Sequence, residues 1–194
     1  MTLVHKFEDG LTRCSWPGNS DLYIRYHDEE WGVAVTGDQA VFERIALEGF
    51  QAGLSWITIL KRRETFRSAF KGFDIEAVAA LSASDEERLM LDPGIIRNRS
   101  KIQSTIKNAQ ICLDLQARGE SISDLVWSFA LPLTNASGLP FETRATSPES
   151  EALSKALKKL GFGYVGPTTM YALMQAIGMV NDHAPDCFRR GKTN

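Results

Sequence analysis

Apolar residues recur at helical spacing through nearly the whole chain, and most of these stretches carry their own start or stop signal. In "DQAVFERIALEGFQAG", Val41 and Ile45, flanked by Phe42 and Ala46, fall on one face after a cap at Asp38. "SWITILKRRETFRSAFKGF" follows with Ile57, Leu60 and Phe66 on an apolar side and Lys61, Arg62, Arg63 and Arg67 elsewhere. "SDEERLML" opens with Ser84 and carries Glu87 three residues on, a capping-box pattern, and Ser121 and Asp124 repeat it in "SISDLVWSF". "SKIQSTIKNAQICLDLQARG" places Ile102, Ile106 and Leu113 near one stripe, with Gly119 as its stop. Ser147-Pro148 begins another helix as cap and first-turn proline. "TTMYALMQAIGMV" is apolar nearly all round and reads as buried. No Asn-Gly or Asp-Gly turn sits between alternating runs, so strand signals are weak. The expectation is an all-α protein of one domain over 1–194, with 131–146 as a breaker-rich surface loop.

Composition narrows the function classes. With 194 residues and 43% hydrophobic content the chain can bury a sizeable core. No apolar run reaches the roughly 20 residues that cross a bilayer. "MTLVHKFEDG" lacks the features of a secretory leader, and three scattered cysteines make no disulfide framework, so a cytoplasmic location is expected. A net charge of -2 decides nothing about nucleic acid, because binding depends on where the charge sits.

Three constellations carry chemistry. Near the C-terminus "NDHAPDC" sets His183 four residues before Cys187, and near the N-terminus Cys14 and His27 stand in "TRCSW" and "RYHDEEWG". Two thiolates and two imidazoles would complete a closed zinc tetrahedron, structural because no coordination position stays open. Spacing alone leaves a second reading open, in which His27 bonds within a helix and the other pair is ordinary. Cys112 falls in a helical apolar stripe and reads as core.

The second constellation is aromatic: Trp16, Tyr23, Tyr26, Trp31 and Trp56 gather in the first third of the chain, with Glu48 on the apolar side of its helix. Aromatic faces and a buried acid suit a flat, cationic, hydrogen-bonding ring. Read alone, aromatic residues in a helical domain more often form core, with Glu48 paired to an arginine. The third is "SDEERLMLDPGIIRNRSKIQSTIKNA", a short helix, a Pro-Gly turn and a longer helix. It resembles a helix-hairpin-helix over about 84–118, with Gly94 in the turn and Arg97, Arg99 and Lys101 beside it for phosphate. The second glycine of that motif is Ile96 here.

Taken together, "RCSW", "DLYIRYHDEEWGV", "LEGFQAGLSWITILKRRETFRSAF", "GIIRNRSKIQSTIKNA", "WSF", "SKALKKLGFGYVGPTTMYALMQAIGMVNDH" and the terminal cysteine resemble the DNA-3-methyladenine glycosylase I family, from about Arg13 to Cys187. The resemblance implies a helix-hairpin-helix glycosylase fold of two helical lobes, with one structural zinc on Cys14, His27, His183 and Cys187 joining the terminal regions 14–27 and 183–187. It implies hydrolytic release of 3-methyladenine from alkylated double-stranded DNA. Trp56 would stack on the base, Glu48 and Tyr26 would hydrogen-bond it, and Tyr23 and Trp16 would wall the pocket. Gly53-Leu54 would wedge into the gap left by the flipped nucleotide. The family is held to lack the catalytic aspartate of its superfamily, Asp114 reads as a helix-surface residue, and no Schiff-base lysine can be assigned. A monofunctional monomeric enzyme without membrane association is therefore expected. A non-enzymatic alkylated-base binder is the alternative.

Overall fold

Helix formation here follows capping and burial, and the elements come in one order along the chain. The computed structural model describes residues 3–130 and 144–191, so 131–143, most of the expected surface loop, lie outside the described residues. Two strands, β1 (Val4–Lys6) and β2 (Thr12–Cys14), precede α1 (Asp21–Glu29), α2 (Asp38–Gln51), α3 (Trp56–Leu60), α4 (Arg63–Ala69) and α5 (Ile75–Ala79). Then come α6 (Ala83–Leu91), α7 (Arg99–Ala117), α8 (Ile122–Trp127), α9 (Pro148–Leu160) and α10 (Pro167–Ala176). None of the described helices is long and apolar enough to cross a membrane.

The strand pair corrects the all-α expectation in detail. It is antiparallel, with Val4 opposite Cys14 and Lys6 opposite Thr12. Three-residue strands are too short to show alternation, and their connection closes through Phe7, Gly10 and Leu11 rather than a two-residue turn. Phe188 N–H donates to Thr12 O at 2.8 Å, so the C-terminal segment lies along β2.

Two helix starts also differ from the periodicity reading. Ser82, not Ser84, caps α6, and it forms a reciprocal box with Asp85. Gly37 is the N-cap of α2, and Asp38 instead ties that helix to α8 by accepting from Ser121 Oγ at 2.5 Å and Ser123 N–H at 3.1 Å. Ser121 and Ser147 cap α8 and α9 as expected. The basic stretch after Trp56 is two helices, broken around Arg62.

The central element is α2. Its C-terminal half, Ile45 to Phe50, is buried on every side, against α10, α8, α7 and α3. Phe50, Phe66 and Phe70 pack ring on ring beneath it, and Cys112 is a core residue of α7. A helix buried all round that carries a carboxylate at position 48 must aim that group at something polar.

Candidate active site and metal centre

Glu48 projects from α2 into a cavity of about 370 Å³ whose walls include Trp16, Tyr23, Tyr26, Trp31 and Trp56. It is only 4% exposed, and among the described residues its Oε2 has no hydrogen-bond partner; the same holds for the buried Trp56 Nε1. Arg44, one turn earlier, does not bond it: its Nη2 donates to Glu30 at 3.2 Å, and its buried Nη1 has no partner among the described residues. Burial pushes the Glu48 carboxyl up to about 8, against a smaller downward pull from Arg44. Burial, with Glu48 nearby, also raises the Tyr26 and Tyr23 phenols, which keeps both as O–H groups. Tyr26 and Trp56 lie 5.4 Å apart, centroid to centroid, and Trp16 stands edge-on to Tyr23 at 4.8 Å. The arrangement is an aromatic slot with one orphaned acid and one orphaned indole donor, made to hold a flat polar ring.

The termini meet beside this slot. Cys14, His27, His183 and Cys187 are all buried, and their donor atoms lie within 4.8 Å of one another. His183 Nδ1 is 3.2 Å from His27 Nε2 and 3.6 Å from Cys187 Sγ, while Cys187 Sγ is 3.4 Å from His27 Nε2 and Cys14 Sγ 3.8 Å from His183 Nδ1. Zinc bonds of about 2.3 Å to sulfur and 2.0–2.1 Å to nitrogen give tetrahedral edges of roughly 3.3–3.8 Å. The outer ring nitrogens are held as metal-bound imidazoles require: His27 Nδ1 by Asp28 at 2.7 Å, and His183 Nε2 by Trp31 O at 3.2 Å. Asp28 is fixed in turn by Arg13 Nε at 2.9 Å. The bond from Cys14, and the two imidazoles, pull Cys187 toward thiolate despite its burial, and the same bond raises the Cys14 thiol. This donor set fits a four-coordinate metal ion.

Slot and cluster share a wall. Trp31 stacks on the His27 ring and lies edge-on to His183 at 4.6 Å, and Trp16 is 5.4 Å from His27. The aromatics read as a base pocket and the residues read as ligands are therefore packed together.

At the turn between α6 and α7, Asp92 Oδ1 accepts from Gly94 N–H at 2.7 Å and Asn98 Oδ1 caps Lys101 N–H at 3.1 Å, which leaves the first-turn N–H groups of Arg99 and Ser100 without a partner in their own helix. Arg97 is exposed. Arg99 is exposed too, but its guanidinium is engaged by Glu86 and Glu87. Lys101 departs from expectation. It is 7% exposed and its Nζ donates inward, to Phe50 O at 2.8 Å and Ala52 O at 2.6 Å. The ammonium faces the end of α2 and not a phosphate-facing surface. Gly53, at φ +80°, and the exposed Leu54 form the turn between Gln51 and Trp56, two residues that line the slot. Asp114 is exposed on α7, as expected.

Sequence reasoning missed Gln51, Gln175 and Asp182, which also line the cavity. Gln51 follows Glu48 by three residues on one helix face, a spacing that could have found it. Asp182 was hidden: it accepts from Tyr171 Oη at 2.7 Å and Gln175 Nε2 at 2.8 Å, partners that only the packing of α10 brings to it.

The profile of a family described as methyladenine glycosylase matches residues 16–190. DNA-3-methyladenine glycosylase 1 of Escherichia coli (strain K12) is 50% identical over 183 residues, spanning 91% of this chain and 96% of that protein. A DNA-3-methyladenine glycosylase of Haemophilus influenzae is 47% identical over 182 residues, with the same coverage of 91% and 96%. The solved structure of 3-methyladenine DNA glycosylase I from Staphylococcus aureus, described as the structural basis of its 3-methyladenine recognition, is similar with a TM-score of 0.83. Its identity is 35%, over 94% of this chain and 98% of that one.

Proposed function

The chain belongs to the methyladenine glycosylase family, and from that premise we propose that it excises 3-methyladenine from alkylated duplex DNA, releasing the free base and leaving an abasic site. Methylation at N3 places a positive charge on the base and weakens its bond to the sugar. The enzyme must therefore extrude, select and position more than protonate. The flipped base enters the aromatic slot and stacks on Trp56, with Trp16 and Tyr23 as walls. The Tyr26 hydroxyl and the Glu48 carboxyl meet its polar edge.

Glu48 supplies selection. With burial raising its carboxyl to about 8, Glu48 is mostly protonated at neutral pH. A cationic base favours the ionised form by direct attraction, whereas neutral adenine offers no return for ionising a buried acid. Water attacks the sugar C1′, the C1′–N bonding pair leaves with the base and neutralises it, and the water's proton passes to solvent. With no lysine assigned as nucleophile, the action is monofunctional, in a monomer located with its DNA in the cytoplasm. Arg97, Arg99 and the first turn of α7 beyond Gly94 would receive a backbone phosphate, and Gly53-Leu54 would fill the space left by the base. Cys14, His27, His183 and Cys187 would hold one structural zinc, whose chemistry is to neutralise two thiolates and fix the termini.

The observation that carries the reading is the orphaned carboxyl of Glu48 facing an aromatic slot. Its test is chromatography of bases released from methylated duplex DNA. Wild-type protein is expected to release 3-methyladenine, and Glu48→Gln to lose that release while staying folded. A well-folded wild type that releases nothing would leave damage binding without excision as the function.

A further inference from the structure

Lys101 sits in the first turn of α7, seven residues after the Gly94 turn, yet its side chain runs away from the hairpin surface to the end of α2. That end needs a cation. Its last carbonyls carry the negative end of the helix dipole, and α2 has no basic residue in its last turn. The carbonyls from Gly49 to Ala52 are nevertheless all satisfied. Gly49 O takes Ala52 N–H, Gln51 O takes Leu54 N–H at 2.6 Å, and Phe50 O and Ala52 O both take the Lys101 ammonium. Tyr164 lies over the same ammonium, 5.7 Å from Nζ to its ring centroid.

Little else holds the turn that follows. Residues 52–55 are exposed, Gly53 has open space where a side chain would be, and among the described residues the turn's other hydrogen bonds are local: Leu54 N–H on Gln51 O, Thr58 N–H on Ser55 O, and Ser55 Oγ–Thr58 Oγ1 at 2.8 Å. The hairpin is anchored in its own right, by Asn98 on the Lys101 N–H and by Thr65 Oγ1, which donates to Gly94 O at 2.5 Å. One ammonium therefore bridges the proposed phosphate-binding element and the proposed wedge.

We infer that Lys101 is a positioning residue for base extrusion: it registers the Gly53-Leu54 turn against the hairpin, so that duplex bound at the hairpin meets Leu54 beside the lesion. This rests on the glycosylase reading. It requires the step made by Leu54 to depend on Lys101, while the slot around Glu48 and the phosphate contacts do not.

The test compares wild type with Lys101→Met, which keeps the aliphatic stem and removes the donor. Single-turnover release of 3-methyladenine is measured from paired duplex and from the same strand unpaired, where extrusion is not needed. Removing two charged hydrogen bonds is expected to slow duplex release at least about tenfold, to leave unpaired release and free 3-methyladenine binding (read by tryptophan quenching) nearly unchanged, and to have little further effect in a Leu54→Ala background. Equal losses on both substrates, or losses additive with Leu54→Ala, would overturn the inference. So would a salt slope of DNA affinity reduced by about one, the behaviour expected of the phosphate cation removed in Arg97→Ala. Fluorescence of 2-aminopurine placed beside the lesion follows extrusion without chemistry. A wild type that releases no base would therefore defeat the glycosylase reading while the comparison of extrusion still judged Lys101. Should Lys101→Met fail to fold, Lys101→Gln, which removes the charge and shortens the reach to the two carbonyls, carries the same comparisons.

Discussion

At the scale of single residues, Glu48 is the most informative: burying its carboxyl without a hydrogen bond is costly. A carboxylate in an apolar helical run is conspicuous in the sequence. That it is orphaned was not legible, because Arg44 stands one turn away and could have paired with it. Only packing shows that Arg44 turns its Nη2 to Glu30, itself held by Arg63 through Nη2 at 2.9 Å, and makes no bond to Glu48. The raised carboxyl links folding to pH. Between the ordinary value of 4.5 and about 8 the unfolded chain gives up this proton while the folded chain keeps it, so stability falls as pH rises through that window and levels off above it. At about 1.4 kcal/mol per unit the loss is on the order of 3–5 kcal/mol. Glu48→Gln is expected to remove this component, giving a Tm above wild type at pH 8 and close to it near pH 4.5. Thermal unfolding across that range measures it, and parallel curves for the two proteins would show that Glu48 ionises freely in the fold. Excision is expected to move the other way with pH, rising toward 8 as the carboxylate becomes available to a cationic base.

At the scale of elements, periodicity located the helices well and their ends less well. Ser82 and Ser84 each have an acidic residue three positions on in "LSASDEE", and it is Ser82, boxed with Asp85, that starts α6. Lys101 was misplaced for a related reason: a basic residue next to a glycine turn reads as a phosphate ligand, and its burial depends on where α2 ends. Gly178 shows the same dependence in packing. It has φ +78°, and a Cβ there would stand 2.8 Å from Ala34 N and Val33 C. The segment it faces is pinned to α10 through Gly32 N–H on Gln175 O and Val35 N–H on Ile177 O, and it begins beside Trp31. Gly178→Ala is expected to cost about 2–3 kcal/mol or more, from left-handed strain and a backbone clash. Urea unfolding should show the lowered midpoint; an unchanged one would mean that the 32–35 segment gives way easily.

At the scale of the whole molecule, β2 and the segment after α10, from opposite ends of the sequence, close over the same pocket. β2 supplies Cys14, the segment after α10 supplies His183 and Cys187, and His27 arrives from α1. Because Trp16 and Trp31 pack on those imidazoles, the cluster is expected to shape the slot as well as pin the termini. Cys187→Ser should hold less than one zinc per chain by metal analysis, lower Tm on the order of 10 °C, and weaken 3-methyladenine binding. Full zinc content in the variant would remove Cys187 from the ligand set.

The helical class, the aromatic and acidic cluster, the hairpin and the two Cys/His pairs are all written in local sequence, since helical period, turn residues and unusual residue types are properties of short stretches. Family resemblance extended them to roles. The shared wall between the slot and the Cys/His cluster, the missing partner of Glu48, the entry of Asp182 into the cavity and the inward reach of Lys101 were decided only by tertiary structure. Each depends on which groups from distant segments compete for one donor or acceptor, and that competition exists only once the helices have packed.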